Sequence, residues 1–248
     1  YADFALIAMD EIVNKAAKWR YMHGGKQTVP LVIRAPEGVV EGLGPEHSQS
    51  LAQYFWHSFG LKAAMPATPA DAKGMLKAAI RDDDPVLFLE NKSLYNRRGP
   101  VPDGDYIVPL GVAATLRKGD AVTIVAWSRM ATIALEAAGL VNDRGISCEV
   151  IDPRGIRPLD LDAILASVKR TGRLVVVHEG PVTGGLAGEL VAKGVENCFA
   201  SLHAAPVRVG GVDTYVPQNL DLEGLLTPPV AAVVDAVETV MGASRIKG

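Results

Sequence analysis

The chain has 248 residues, 48% of them hydrophobic and 21% charged, with a formal net charge of −3. That is long for one compact domain and ample for two, each with a substantial core. Acids and bases are mixed along it, which excludes the electrostatic footprint of a nucleic-acid or anionic-membrane binder, and no apolar run approaches the roughly 20 residues of a membrane span.

Residues 5–22, "ALIAMDEIVNKAAKWRYM", are Ala-rich and place Leu6, Met9, Val13, Ala16, Ala17 and Tyr21 near one helical face, with "HGG" as the stop. "VPLVIRAP" reads as a short buried strand, and a Gly- and Pro-rich loop then runs to His47, after which 49–58 returns to a helical pattern. "LKAAMPA" is a second strand. "TPADAKGMLKAAIRD" is a helix with Thr68 as N-cap, Pro69 at the first position and Asp71 near the positive end. "PVLFLE" is a third strand. Short apolar strands alternating with helices predict a parallel sheet covered on both faces.

Residues 91–119 break that rhythm with Gly-Pro and Pro-Asp-Gly turns and read as a linker. The alternation then restarts: "AVTIVAWS", a helix over 130–143, "SCEVIDP", a helix over 160–170, "RLVVVHEG", a helix over 184–197, "PVRVGG" and a last helix over 229–241. Two α/β domains are expected: 1–100, a linker over 101–117, and 118–248.

Two cysteines, Cys148 and Cys198, lie in apolar surroundings without CxxC or Cys/His spacing, and read as buried thiols of a reducing compartment. The first residues, "YADFALIAMDEIV", carry acids and no basic segment, unlike a signal peptide. They enter a helical pattern at once and without a methionine, so further residues are expected upstream.

Several familiar motifs do not occur. There is no GxGxxG or GxxxxGK[ST] after a strand, no GxSxG and no HExxH. "GPVTGGLAGE" (180–189) suits a tight turn and close helix packing, or an anion on free helix N–H groups. His47, in "GLGPEHSQSLAQYFWH", is by position either a solvated loop residue or a proton-handling group at the carboxyl edge of a parallel sheet, where ligands bind in such folds.

The segments "YADFALIAMDEIVNKAAKWRYMHGG", "VIRAPEG", "EHSQSLAQYFWHSFGLKAAMPATPADAKGMLKAAIRDDDPVLFLE" and "VIDPRGIRPLDLDAI" settle the choice. Together they resemble, in order and over essentially the whole chain, the beta subunit of the thiamine-diphosphate-dependent decarboxylase component of 2-oxo acid dehydrogenase complexes, pyruvate and acetoin types included. The resemblance implies a transketolase pyrimidine-binding-like domain, N-terminally incomplete, followed by a transketolase C-terminal-like domain. The second of these would serve assembly and, in several members, docking of the dihydrolipoyl acyltransferase core.

It implies that His47 reaches into the active site, hydrogen-bonds the substrate carboxylate or the reaction intermediate and helps transfer the acyl group to lipoyl groups. Phe4 would pack on the aminopyrimidine ring of the cofactor. Leu31, Ala79, Ile80, Asp82 and Asp84 would hold a structural monovalent cation, K⁺, through main-chain oxygens; the family often has Asn where this chain has Asp84. The diphosphate and Mg²⁺ are expected on an alpha subunit carrying GDG…N, in an α₂β₂ heterotetramer. The cofactor-activating glutamate of the family lies upstream of "YADF", so this chain alone is expected to be inactive. Leu51 after "HSQS" points to the pyruvate and acetoin branch, since branched-chain enzymes tend to have Pro there. The compartment implied is a bacterial cytoplasm or an organelle matrix. A transketolase-type ketol transferase fragment and a non-catalytic scaffold that kept the fold are the alternatives.

The remaining charged residues are expected to be structural. Arg34 and Glu90 read as buried charge partners, Arg97 and Arg98 as a solvated basic patch, and His23 as solvated. His57 reads as a helix-end residue, His178 as a satisfied core histidine, and His203 as a loop residue without a visible partner.

Overall fold

The computed structural model describes residues 1–242. In chain order the elements are α1 (Ala2–Ala5), a π-helical segment (Asp10–Ala16), α2 (Ala17–Met22), β1 (Val32–Glu37), α3 (Ala52–Trp56), β2 (Lys62–Ala64), α4 (Pro69–Ile80), β3 (Val86–Asn91), β4 (Ala114–Arg117), β5 (Val122–Ala126), α5 (Arg129–Asn142), β6 (Cys148–Asp152), β7 (Gly155–Arg157), α6 (Leu161–Thr171), β8 (Leu174–Pro181), α7 (Leu186–Cys198), β9 (Val207–Gly211), α8 (Leu220–Glu223) and α9 (Val230–Gly242). The helix expected over 5–22 is broken: Ile12 and Ala17, both buried, stand five residues apart, one π-turn, on the inner face. The helix expected over 49–58 shrinks to α3, because the preceding amides of Gln49 and Leu51 donate to the side chains of Asp3 and Glu37.

The chain divides into two compact units. The first comprises Tyr1–Val112, Arg154–Leu159 and Tyr215–Gly224; the second comprises Ala113–Pro153, Asp160–Thr214 and Leu225 onward.

In the first unit the strands lie in the order β1-β3-β2-β7. β1, β3 and β2 are parallel, while β7 adds antiparallel to β2. Val86, Leu87, Phe88 and Leu89 of β3 are wholly buried, as a central parallel strand with covered faces requires. α4 closes one face: Met75 and Ala79 pack with Ala64, Val86 and Phe88, and Val108 and Leu110 from the irregular stretch after β3 complete the cluster. Thr68 caps α4, its Oγ accepting from the Asp71 amide at 3.0 Å. β7 escapes prediction because "GIR" is too short to show a pattern. It fits beside β2 because Gly155 has no side chain; a Cβ there would lie 2.4 Å from the Ala63 carbonyl oxygen.

The second unit carries a five-stranded sheet in the order β4-β6-β5-β8-β9, parallel except for the antiparallel edge strand β4. β4 falls inside the stretch read as linker. α5 buries Met130, Ala131, Ala134, Ala137, Ala138 and Val141, a helical stripe whose small alanines let the helix approach the sheet closely. Among the described residues no helix is long and apolar enough to cross a membrane.

Glycine inside a helix ordinarily costs about 1 kcal/mol relative to alanine. Gly74 of α4 reverses that sign: a Cβ there would meet Val108 Cγ2 at 2.6 Å, Tyr106 Cε2 at 2.8 Å and the Val108 amide nitrogen at 3.0 Å. Gly74→Ala is expected to lower the unfolding free energy by about 2 kcal/mol, overpacking outweighing the propensity gain; urea titration reads it, and a stabilised variant would contradict the packing.

Candidate functional site

The loop that leaves β1 at the carboxyl edge of the first sheet is built from borrowed acceptors. Gly38, at φ 101°, turns the chain against Asn91, whose amide nitrogen would lie 2.5 Å from a Cβ there. The Gly38 amide donates to Gln49 O at 3.2 Å and the Leu51 amide to the buried Glu37 carboxylate at 3.2 Å. Gly42 donates to both oxygens of the buried Glu223, at 3.1 and 3.0 Å, and a Cβ on Gly42 would lie 2.8 Å from Gln218 O. Glu41 beside it is held at φ 72°, a conformation a non-glycine residue keeps only where its surroundings impose it. The loop ends with the His47 amide on Gly44 O at 3.4 Å and Ser48 Oγ on Val40 O at 3.2 Å.

α1 brings two rings to that histidine. The centroids of Tyr1 and Phe4 lie 5.0 and 5.1 Å from that of His47, at 80° and 77°, both edge-on. Phe4 is 46% exposed, so part of its side chain is open to solvent. Asp3 ties α1 to the loop: its Oδ1 accepts from the Gln49 amide at 3.3 Å and Gln49 Nε2 at 2.9 Å, while its buried Oδ2 has no hydrogen-bond partner. Lys92, which follows β3, donates through Nζ to His47 O and, at 3.3 Å, to Ser48 Oγ, with Nζ 5.0 Å from the Tyr1 ring centroid.

Phe4 and His47, anticipated separately, are thus brought together. Tyr1, Asp3, Lys92 and Glu223 are not legible as site residues from the sequence. The one signal is that Lys92 directly follows the apolar run "VLFLEN", where a strand end meets the carboxyl edge.

On the same edge Arg34 grips Glu90 through Nε at 3.1 Å and Nη2 at 2.8 and 3.0 Å, and Tyr95 donates to Glu90 at 3.0 Å. They line a cavity of about 330 Å³. Burial, then the hydrogen bond to Glu90, pushes the Tyr95 phenol up to about 12. The expectation of a buried pair is corrected in one respect: Glu90 is shielded, but the Arg34 side chain is 57% exposed.

The residues expected to hold a cation gather at the end of α4. Asp82 takes Lys62 Nζ on both oxygens at 2.7 Å, and Asp84 takes Arg20 at 2.9 Å and Lys62 at 3.4 Å. Burial pushes the Asp84 carboxyl up, but Arg20 and Lys62 together hold it below the usual carboxylate range. Ala79 O accepts from the Asp82 amide at 3.3 Å and Leu31 O from the Val86 amide at 2.8 Å. The acidic side chains are therefore already met by cations, and a further ion would rest on main-chain oxygens, including Ile80 O at the negative end of the helix. Among the described residues no group of three or more His, Cys, Asp or Glu side chains is set to hold a metal ion.

Two family models match the chain: the pyrimidine-binding domain of transketolase over residues 1–98 and the C-terminal domain of transketolase over residues 111–233. The acetoin:2,6-dichlorophenolindophenol oxidoreductase subunit beta of Cupriavidus necator is 43% identical over 241 residues, covering 97% of this chain and 71% of that protein. The chain belongs to the beta-subunit family of 2-oxo acid and acetoin dehydrogenases. The pyruvate dehydrogenase E1 component subunit beta of Rhizobium meliloti is 44% identical over 96% of this chain and 52% of that one. The mitochondrial 2-oxoisovalerate dehydrogenase subunit beta of Dictyostelium discoideum is 46% identical over 89% of this chain and 63% of its own length. Against these two the chain spans about half to two thirds of the relative. Among solved structures, a split-gene transketolase described as an inactive β4 tetramer superposes with a TM-score of 0.76 at 26% identity, over 99% of this chain and 75% of that one.

The other histidines have different surroundings. His23 stacks on Trp19 at 4.3 Å with Nδ1 2.9 Å from Trp19 O, so it is half-buried rather than solvated. His57 meets Phe59 edge-on at 5.2 Å. His203 has a partner after all: its amide donates to Gly172 O at 2.7 Å, and its ring fills the space a side chain on Gly172 would need. Cys148 and Cys198 are buried free thiols, and burial pushes Cys148 up to about 11.

His178 is buried as expected but not satisfied: its Nε2 has no hydrogen-bond partner and packs against Gly185 and Gly210. Burial, then the charge of Arg208, lowers its pKa from 6.5 to about 4. The unfolded chain therefore takes up a proton that the folded one refuses, so the stabilisation is complete above pH 6.5 and is lost as pH falls toward 4. Between pH 7 and 4 the parent is expected to lose roughly 3 kcal/mol more unfolding free energy than His178→Gln; parallel urea titrations across that range check it.

Proposed function

We propose that the chain is the beta subunit of a thiamine-diphosphate-dependent 2-oxo acid dehydrogenase of the pyruvate or acetoin type, with acyl transfer to lipoyl groups, active together with an alpha subunit in an α₂β₂ assembly. One observation carries this reading: the family's histidine, His47, stands within 5.1 Å of the half-exposed Phe4 ring, on a loop fixed at the carboxyl edge of a parallel sheet. The domain assignment that accompanies it is a pyrimidine-binding-like domain over 1–100, a linker over 101–117 and a C-terminal-like domain over 118–248. The compartment that goes with it is a bacterial cytoplasm or an organelle matrix, where buried free thiols stay reduced.

The family is thiamine-diphosphate dependent. The residues present suit an aminopyrimidine: a half-exposed aromatic side chain, Phe4, with the His47 ring edge-on beside it. Bound thiamine diphosphate supplies the electron sink for loss of carbon dioxide; its diphosphate and Mg²⁺ belong to the alpha subunit in this reading. Phe4 offers a flat apolar surface that orients a ring and excludes water. His47 can pass a proton through its imidazole to an anionic substrate oxygen, or to the lipoyl sulfur released when the S–S bond opens to take the acyl group. The acyltransferase core is the acceptor's carrier. Arg34 speaks against ketol transfer between sugar phosphates, since its guanidinium is held by both oxygens of Glu90 rather than left open as a phosphate clamp.

Leu31, Ala79, Ile80, Asp82 and Asp84 are assigned in the same reading to a structural K⁺ held by main-chain oxygens, at the negative end of α4.

Co-expression with an alpha subunit bearing GDG…N is the direct test: carbon dioxide release from pyruvate must need both chains and added thiamine diphosphate. In that assembly His47→Ala is expected to cut acyl transfer to lipoamide by about a hundredfold or more; a loss within threefold removes His47 from the chemistry. Exchanging choline chloride for KCl is expected to raise the thermal midpoint by about 3 °C through binding to the folded state. An identical midpoint in the two salts removes the cation.

A further inference from the structure

Lysine is almost never fully buried unless its ammonium is paired. Lys92 is 6% exposed. Its Nζ reaches the loop that carries His47: it donates to the main-chain carbonyl of His47 itself and to Ser48 Oγ at 3.3 Å, and it sits 5.0 Å from the centroid of the Tyr1 ring. Tyr1 in turn presses edge-on against the imidazole at 5.0 Å. One ammonium therefore acts on His47 from two directions, through its backbone and through the ring beside its side chain.

We propose that Lys92 is a positioning residue that sets the orientation of the His47 imidazole by anchoring the His47 carbonyl and the Tyr1 ring at once. The inference deepens the reading of His47 as the acyl-transfer histidine and rests on it.

The base from which Lys92 reaches is rigid. It follows the last residue of β3, and Asn91 caps the short 3₁₀ turn Lys92–Leu94, its Oδ1 accepting from the Ser93 amide at 3.1 Å and the Ser93 hydroxyl at 2.6 Å. On the side before His47, the amide bond from His47 N to Gly44 O is long at 3.4 Å, so the Lys92 contact to the His47 carbonyl is the charged one on that peptide. A charge-assisted hydrogen bond to the carbonyl of the functional residue is stronger than a neutral one and fixes its peptide plane. The cation over the Tyr1 ring holds the second wall. A displacement of about 1 Å at such a group is enough to cost up to a hundredfold in rate.

Two readouts separate this role from plain stability. In the full chain without any partner, the five histidines are acylated with diethyl pyrocarbonate and followed individually by mass spectrometry. Lys92→Met is expected to change the His47 rate at least about fivefold while His23 and His57 stay within about twofold, and Lys92→Arg, which keeps a charged donor, to stay near the parent. In the reconstituted assembly Lys92→Met is expected to lower kcat for acyl transfer about tenfold or more with KM changed less than about threefold, and Lys92→Arg to recover most of it. Should Lys92→Met fail to fold, Lys92→Gln is read by the same His47 criterion. A His47 acylation rate unchanged within about twofold in a folded Lys92 variant without the charge overturns the proposal. An inactive parent assembly with a responsive His47 would instead sink the proposed activity and leave the positioning contact standing.

Discussion

A loop that leaves the end of a parallel strand has no neighbouring strand to pair with, and each buried amide it does not satisfy within itself needs an acceptor from elsewhere. Here three carboxylates meet that demand: Asp3 from α1, Glu37 from the end of β1 and Glu223 from α8. They come from the start, the first third and the far end of the chain, so the loop over 38–51 takes shape only when all three segments are in place. The geometry of His47 is downstream of that accounting. Its amide, its carbonyl and its ring are each fixed by a different partner: Gly44, Lys92 and the Tyr1–Phe4 pair.

The central strand β3 makes the arrangement stiff. Four consecutive wholly buried residues carry no polar side chain, so the strand cannot slip without exposing them. Whatever follows Leu89 is held at a fixed height above the sheet: Glu90 for Arg34 and Tyr95, Asn91 for the turn at Gly38, Lys92 for His47. A strand chosen for its apolar pattern thus doubles as the mount for three successive polar residues with different tasks.

Much of the fold was legible because it rests on local pattern. Strands β1, β2, β3, β5, β6, β8 and β9 and helices α4, α5, α6, α7 and α9 announce themselves by apolar runs, by Thr68-Pro69 and by helical spacing. What was not legible depends on distant partners. β7 exists because Gly155 lets it lie against Ala63, and α8 belongs to the first unit because Glu223 and Gln218 meet Gly42. No window of sequence contains both halves of such a contact. The site divides the same way. His47 and Phe4 were reached through a long shared pattern, whereas Asp3 and Lys92 act on the backbone of other residues and leave no spacing signature.

The end of α4 shows a pair of acids answered charge for charge. Asp84 adds a negative charge at the end of α4, and the structure meets it with Arg20 and Lys62, while Lys62 also holds Asp82. Neutral main-chain oxygens are left as the surface on which an ion would rest. Asp84 and Arg20 thus cancel in charge, and Lys62 bridges to Asp82 beside them.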